Sequence, residues 1–94
     1  MRILTLDDFA GRRGLTYEIV AGGGGRLPVV LDEVQTLPGG QREGGAFRLI
    51  FLGPHQPILP QGIYPIHRDT EVHEIFIVPI GQVQTGTQYE AVFM

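Results

Sequence analysis

Five side chains suited to acid–base or metal chemistry fall within ten positions of one another: Tyr64, His67, Asp69, Glu71 and His73. Imidazole combined with carboxylate suits zinc, nickel or copper. A hairpin turning at residues 69–72 would bring His67 and His73 near one another, and a histidine paired with Glu71 or Asp69 would be the acid–base alternative. The spacing matches no dedicated metal motif, and a structural zinc site usually needs four ordered ligands. A solvated hairpin tip with two histidines is therefore the simpler reading. His55 stands in a proline-rich stretch and reads as a turn residue.

The remaining chemistry is thinner. The chain has no Ser, Cys or Lys, which removes serine and cysteine nucleophiles, Schiff-base lysines and the P-loop lysine. Two pairs of adjacent carboxylates occur, Asp7 with Asp8 and Asp32 with Glu33. Neighbours on a strand point to opposite faces, so such pairs do not flank a cleft. Asp7 and Asp8 suit the first turn of a helix, where they answer its dipole. Four consecutive glycines, residues 22–25, lack the lysine and following helix of a phosphate loop and read as a turn. Gly62-Ile63-Tyr64 is similar to the opening of a nuclease signature whose partner Tyr-Ile-Gly element is missing here. Tyr17, Phe47, Phe51, Tyr64, Phe76, Tyr89 and Phe93 fall in extended runs, where an aromatic usually belongs to the core. Arg48 interrupts an apolar run, and a bridge to Glu74 or Glu90 on a neighbouring strand would account for it. No catalytic residue, cofactor or metal ligand is assigned.

What positions these residues is a short chain of 94, with fourteen Gly and seven Pro punctuating it. That length predicts a single domain, residues 1–94, with one thin core. Seven Arg against ten Asp plus Glu give a net charge of −3, the wrong sign for following a phosphate backbone, so nucleic acid is not an expected partner. The uninterrupted apolar runs are far shorter than the roughly 20 residues of a membrane-spanning helix. Asp7 and Asp8 fall where a signal peptide would have its apolar region. A cytoplasmic, membrane-free protein is the expectation.

Helix signals are confined to residues 6–10, where Thr5 and Asp8 have capping-box spacing and Gly11 follows as a C-cap. Thereafter the pattern is β: residues 16–21 (TYEIVA), the glycine turn, 27–37 (LPVVLDEVQTL), a polar loop over 38–45 expected to be mobile, and 46–52 (AFRLIFL). In that last run Phe47, Leu49 and Phe51 share one face, and apolar residues on nearly both faces predict a central strand. Residues 53–62 (GPHQPILPQG), with three prolines, should cross from one edge to another. A second hairpin is predicted from 62–68 and 73–80, and a last strand over 88–94 after a turn at 81–87. Pro28, Pro65 and Pro79 each remove a ladder donor and suggest edges or bulges. The apolar C-terminal strand needs partners on both sides or association, so a homo-oligomer through a remaining open edge is compatible with the pattern. The fold class is all-β: a small antiparallel barrel or sandwich of about six strands with one short N-terminal helix.

Four segments carry a family resemblance: Phe47-Arg48-Leu49-Ile50-Phe51-Leu52-Gly53-Pro54, Leu59-Pro60-Gln61-Gly62-Ile63-Tyr64, Phe76-Ile77-Val78-Pro79-Ile80-Gly81 and Tyr89-Glu90-Ala91-Val92-Phe93. Together they resemble a group of small bacterial proteins classified as a domain of unknown function. Relatives encoded beside phage-tail-collar-like genes would imply an accessory or assembly role. The sequence thus points to a non-catalytic module that binds a protein partner by sheet-edge pairing or through its loops. The alternative is a barrel binding a small molecule or metal near Tyr64, His67 and His73.

Overall fold

The computed structural model describes residues 4–39 and 45–94; the middle of the glycine-rich loop expected to be mobile, residues 40–44, lies outside them. After a 3-10 turn at Leu6–Asp8 come six strands, β1 (Thr16–Val20), β2 (Arg26–Leu37), β3 (Ala46–Gly53), β4 (Gly62–Arg68), β5 (Glu71–Val83) and β6 (Gly86–Phe93), with a second 3-10 turn at Gly22–Gly24 between β1 and β2. All neighbours run antiparallel, and the order β1-β2-β3-β6-β5-β4 closes on itself. The fold is all-β, and of the two architectures expected it is the barrel.

Local chemistry sets the elements. The Asp8 carboxylate accepts the Thr5 backbone N–H at 2.8 Å, a capping box that fixes the 3-10 turn. The glycines of residues 22–25 fold a tight loop in which the Ala21 N–H donates to the Gly25 carbonyl at 2.7 Å. Between β4 and β5 the turn is two residues, Asp69 and Thr70, with Asp69 at φ +54°, a left-handed conformation that Asp tolerates better than most. The last turn is shorter than the 81–87 predicted. A bulge between Pro79 and Gly81 absorbs both residues into β5, which continues to Val83 and leaves Gln84 and Thr85 to turn.

The barrel is uneven. Between β1 and β4 the seam is two residue pairs, Glu18 with His67 and Ile19 with Ile66, whereas other neighbours share five to seven. All three prolines mark interruptions: Pro28 precedes the β2–β3 register, Pro65 lies beyond the β1–β4 seam and Pro79 sits at the bulge. β6 lies between β3 and β5; its residues 87–90 pair on both sides, and residues 91–93 pair with β3 alone among the described residues. A second one-sided stretch falls on residues 33–37 of β2, which pair with β3 alone among the described residues.

Inside, Tyr17 and Ile19, Leu27, Val29 and Leu31, Phe47, Leu49 and Phe51, Ile66, Ile75 and Ile77, and Tyr89 and Ala91 form one core. Phe9 plugs one end, its ring centroid 6.1–6.5 Å from those of Tyr17, Phe47, His73 and Phe93. The opposite end is crossed by the proline-rich segment joining β3 to β4. Leu59 enters the core there, its N–H donating to the Tyr89 hydroxyl at 3.0 Å. The Tyr64 hydroxyl donates to the Pro60 carbonyl at 2.7 Å. Gln82 donates to the His55 carbonyl, and one ring nitrogen of His55 contacts the Val83 carbonyl at 3.1 Å.

At the β5–β6 turn Gly86 has φ +154°, and a Cβ there would overlap the Gly53 carbonyl. Neither strain nor clash can relax, because β3 and β6 are hydrogen-bonded at that point. Gly86→Ala is expected to lose at least about 2 kcal/mol of stability, the scale of combined overpacking and backbone strain, read as a lower midpoint in chemical denaturation.

Candidate functional site

Of the residues that could do chemistry, Glu71 and His73 meet, whereas the two histidines do not. Residues directly opposite in an antiparallel ladder share a face, so Ile66 with His73 points inward and His67 with Val72 points outward. His67 and His73 therefore lie on opposite faces of one hairpin. Tyr64 shares the inner face with His73 but is turned toward Pro60 at the far end. The sequence alternative of a site formed by Tyr64, His67 and His73 is not assembled. Among the described residues no group of three or more His, Asp or Glu is placed to hold a metal ion. Asp8 serves the capping box, and Asp32 and Glu33 straddle a β2 bulge.

What the structure does assemble is a polar cluster beside Phe9, where β5 begins. Arg12 Nη1 donates to Glu71 Oε2 at 2.6 Å, and His73 Nε2 lies 3.5 Å from Glu71 Oε1. Sequence reading missed Arg12, because nothing local ties it to a residue 59 positions away. The Arg12 guanidinium holds the Glu71 carboxyl below its ordinary range, and burial opposes this in part. Glu71, followed by the Tyr17 hydroxyl, raises Arg12 above its usual value. Tyr17 is 2% exposed, yet its hydroxyl meets no partner at hydrogen-bond geometry. Arg68 lies over the Tyr17 ring, 5.9 Å from its centroid, and donates to the Thr16 carbonyl. Arg12 and Arg68 both have partners, so the cluster ties the 3-10 segment to the hairpin, and Glu71 with His73 is the histidine–carboxylate contact that the sequence allowed.

Two outcomes follow. The Tyr17 hydroxyl acts on the Arg12 guanidinium without hydrogen-bond geometry, so its removal exchanges a weak polar contact for a relieved desolvation cost, and Tyr17→Phe should be within about 0.5 kcal/mol of the parent by denaturant titration. The Glu71 carboxyl is depressed, so its contribution is present above the ordinary glutamate value of 4.5 and is lost as pH falls through the lower folded value. At one-third exposure the advantage over Glu71→Gln at neutral pH should stay below about 1 kcal/mol and vanish in acid, which parallel melts across pH measure.

The outside of the β4–β5 hairpin is different in character. Ile63 stands opposite Phe76, and Pro65 opposite Glu74. The β5–β6 ladder ends at Val78 with Glu90, and Val92 stands opposite Arg48 of β3. Ile63 is 67% exposed, Phe76 51%, Val92 47%, Met94 60% and, further along β5, Val72 51%. Ile63, Pro65, Val72 and Phe76 share the outer face of the β4–β5 hairpin as an apolar island, a kind of exposed patch that on a monomer is often functional. Arg48 is paired with Glu90 as anticipated and donates to Gln35 at 3.0 Å. Glu74, amid the island, has no ion-pair partner among the described residues. The sequence assigned Phe76 to the core, but the run 75–78 is apolar in both phases, and Ile75 and Ile77 take the inward one.

Residues 4–93 match the family described as Domain of unknown function (DUF6916), and the chain belongs to it. No curated protein and no solved structure shows a significant match.

Proposed function

We propose that this member of the DUF6916 family is a non-catalytic protein-binding module whose partner packs on the outer face of β4 and β5. The observation that supports this is the apolar island around Phe76, exposed on a barrel whose interior is filled by its own side chains. A small barrel holds a ligand only where side chains leave room for it, and here Phe9 and Leu59 occupy the two ends. The absence of serine, cysteine and lysine narrows the nucleophiles that could support turnover. The net charge of −3 disfavours nucleic acid, and among the described residues no helix is long and apolar enough to cross a membrane. Protein surfaces that fit an aromatic flanked by aliphatics are themselves apolar at the centre with a polar rim. The unpaired Glu74 adds a preference for a cation near that centre. The assembly role implied by the resemblance to proteins encoded beside phage-tail-collar-like genes belongs to this proposal.

Capture by crosslinking from native lysate, followed by titration with the purified captured protein, tests it. Phe76→Asp should weaken binding at least about tenfold, as expected for an aromatic anchor, with the melting curve unchanged because the side chain is half exposed. Glu33→Gln, across the barrel, should bind as the parent does. Binding indifferent to Phe76→Asp would overturn the assignment of this face.

A further inference from the structure

β2 is the strand that the barrel uses unevenly. Residues 26–30 pair with β1, and residues from Val30 onward pair with β3. The segment preceding β1 follows β2 as far as Leu31, where the Gly14 N–H donates to the Leu31 carbonyl at 2.7 Å and the Leu31 N–H to the Leu15 carbonyl at 3.0 Å. The Arg13 side chain then donates to the Asp32 carbonyl at 2.7 Å. Beyond that point the described chain leaves, and one edge of residues 33–37 faces a groove of about 200 Å3 lined by Arg13, Glu33, Val34 and Gln35.

That edge has the properties of one meant to be paired. The bulge at Asp32 delimits it on one side and Pro38 on the other. Between them the sequence Glu-Val-Gln-Thr-Leu contains no Pro, Lys or Gly, the residues that usually blunt an exposed edge. Its single charge, Glu33, stands at one extremity.

We infer that two copies of this chain pair antiparallel through residues 33–37 of β2, about a two-fold axis at Gln35. This is the register that engages all five residues. It sets Gln35 against Gln35 of the second copy, Val34 against Thr36 and Glu33 against Leu37, with about four to six inter-strand hydrogen bonds. The two Glu33 carboxylates then lie about 13 Å apart along the strands, beyond the screening length at physiological salt. A parallel arrangement would place them side by side. A second copy carries a strand of the required length, polarity and charge placement, which favours it over a foreign segment. An interface of strand edges is small against the usual 1,600 Å2 or so of a stable complex, so the dimer forms in a concentration-dependent way. It leaves the Phe76 face free and stands or falls independently of the function proposed for that face.

Sedimentation equilibrium on the purified chain, from micromolar to millimolar, is the test. The parent should shift from monomer toward dimer. Gln35→Lys and Gln35→Glu, both at an exposed position, should each remain monomeric because like charges would face one another across the axis, and an equimolar mixture should recover the dimer. Phe76→Asp should dimerise as the parent does. Should a charge variant unfold, oxidation of Q35C gives the same reading in a chain otherwise free of cysteine: a covalent dimer is expected from it and not from Q61C. A parent that stays monomeric at millimolar concentration, a dimer untouched by both charges, or one abolished by Phe76→Asp would each overturn the pairing.

Discussion

The structure depends on a core that holds shut a barrel its own ladder barely closes. Two residue pairs join β1 to β4, too few to keep a sheet from opening, since an isolated two-stranded pairing is marginal in water even at full length. What holds the seam is behind it. Ile19 and Ile66, the inward member of each seam strand, are 0% and 1% exposed and belong to the same cluster as Phe9, Phe51 and Tyr89. In a chain of this size the surface-to-volume ratio leaves little apolar area to spare. Both plugs are therefore structural necessities: without Phe9 or Leu59 the ends of the barrel would admit water to the rings that close the seam.

That requirement fills the interior: Phe, Tyr, Leu and Ile from six strands occupy the space in which a wider barrel would have a lumen. The inward polar residues at the Phe9 end are consumed in holding the 3-10 segment on the β4–β5 hairpin, with Arg12 satisfied by Glu71 and Arg68 by a backbone carbonyl and an aromatic face. At the opposite end His55, Gln82 and Thr87 are similarly occupied in fastening the proline-rich crossing. Many polar groups of this fold are fasteners, and among the described residues the apolar island and the β2 edge are two surfaces left without a partner.

The strands were legible in the sequence because each is bounded by residues with a stereochemical reason to stop a ladder. Residues 22–25 mark the first hairpin, and Gly62 opens β4 after a stretch with three prolines. Phe47, Leu49 and Phe51 alternate cleanly and all point inward, and Arg48, between them on the outer face, finds Glu90 on the neighbouring strand. The site was less legible for two physical reasons. Strand phase is ambiguous where both faces are apolar, which is why Phe76 reads as core and is exposed. Facing also depends on register: a hairpin turning at residues 69–72 brings His67 and His73 close in sequence terms, but the observed two-residue turn pairs His67 with Val72 and puts the histidines on opposite sides of the sheet. Closure was beyond reach as well, since the β1–β4 seam joins strands that begin 46 positions apart, and no local pattern encodes it.

The two unpartnered features have different origins, and this bears on what each could recognise. The island around Phe76 is side chain in character: Ile63, Val72 and Phe76 lie outside the buried core cluster. Their apolar identity is therefore not explained by folding. The β2 edge is backbone in character and follows from geometry. Strands of five and twelve residues cannot be flush in one barrel, so the longer must project beyond the shorter and expose ladder groups that no side-chain substitution removes. A surface of the first kind selects a partner by shape and hydrophobicity, and one of the second kind selects by extended conformation and register. The same short chain can carry both because its sheet, closed by its core, leaves the outer faces and projecting strand ends free of structural duty.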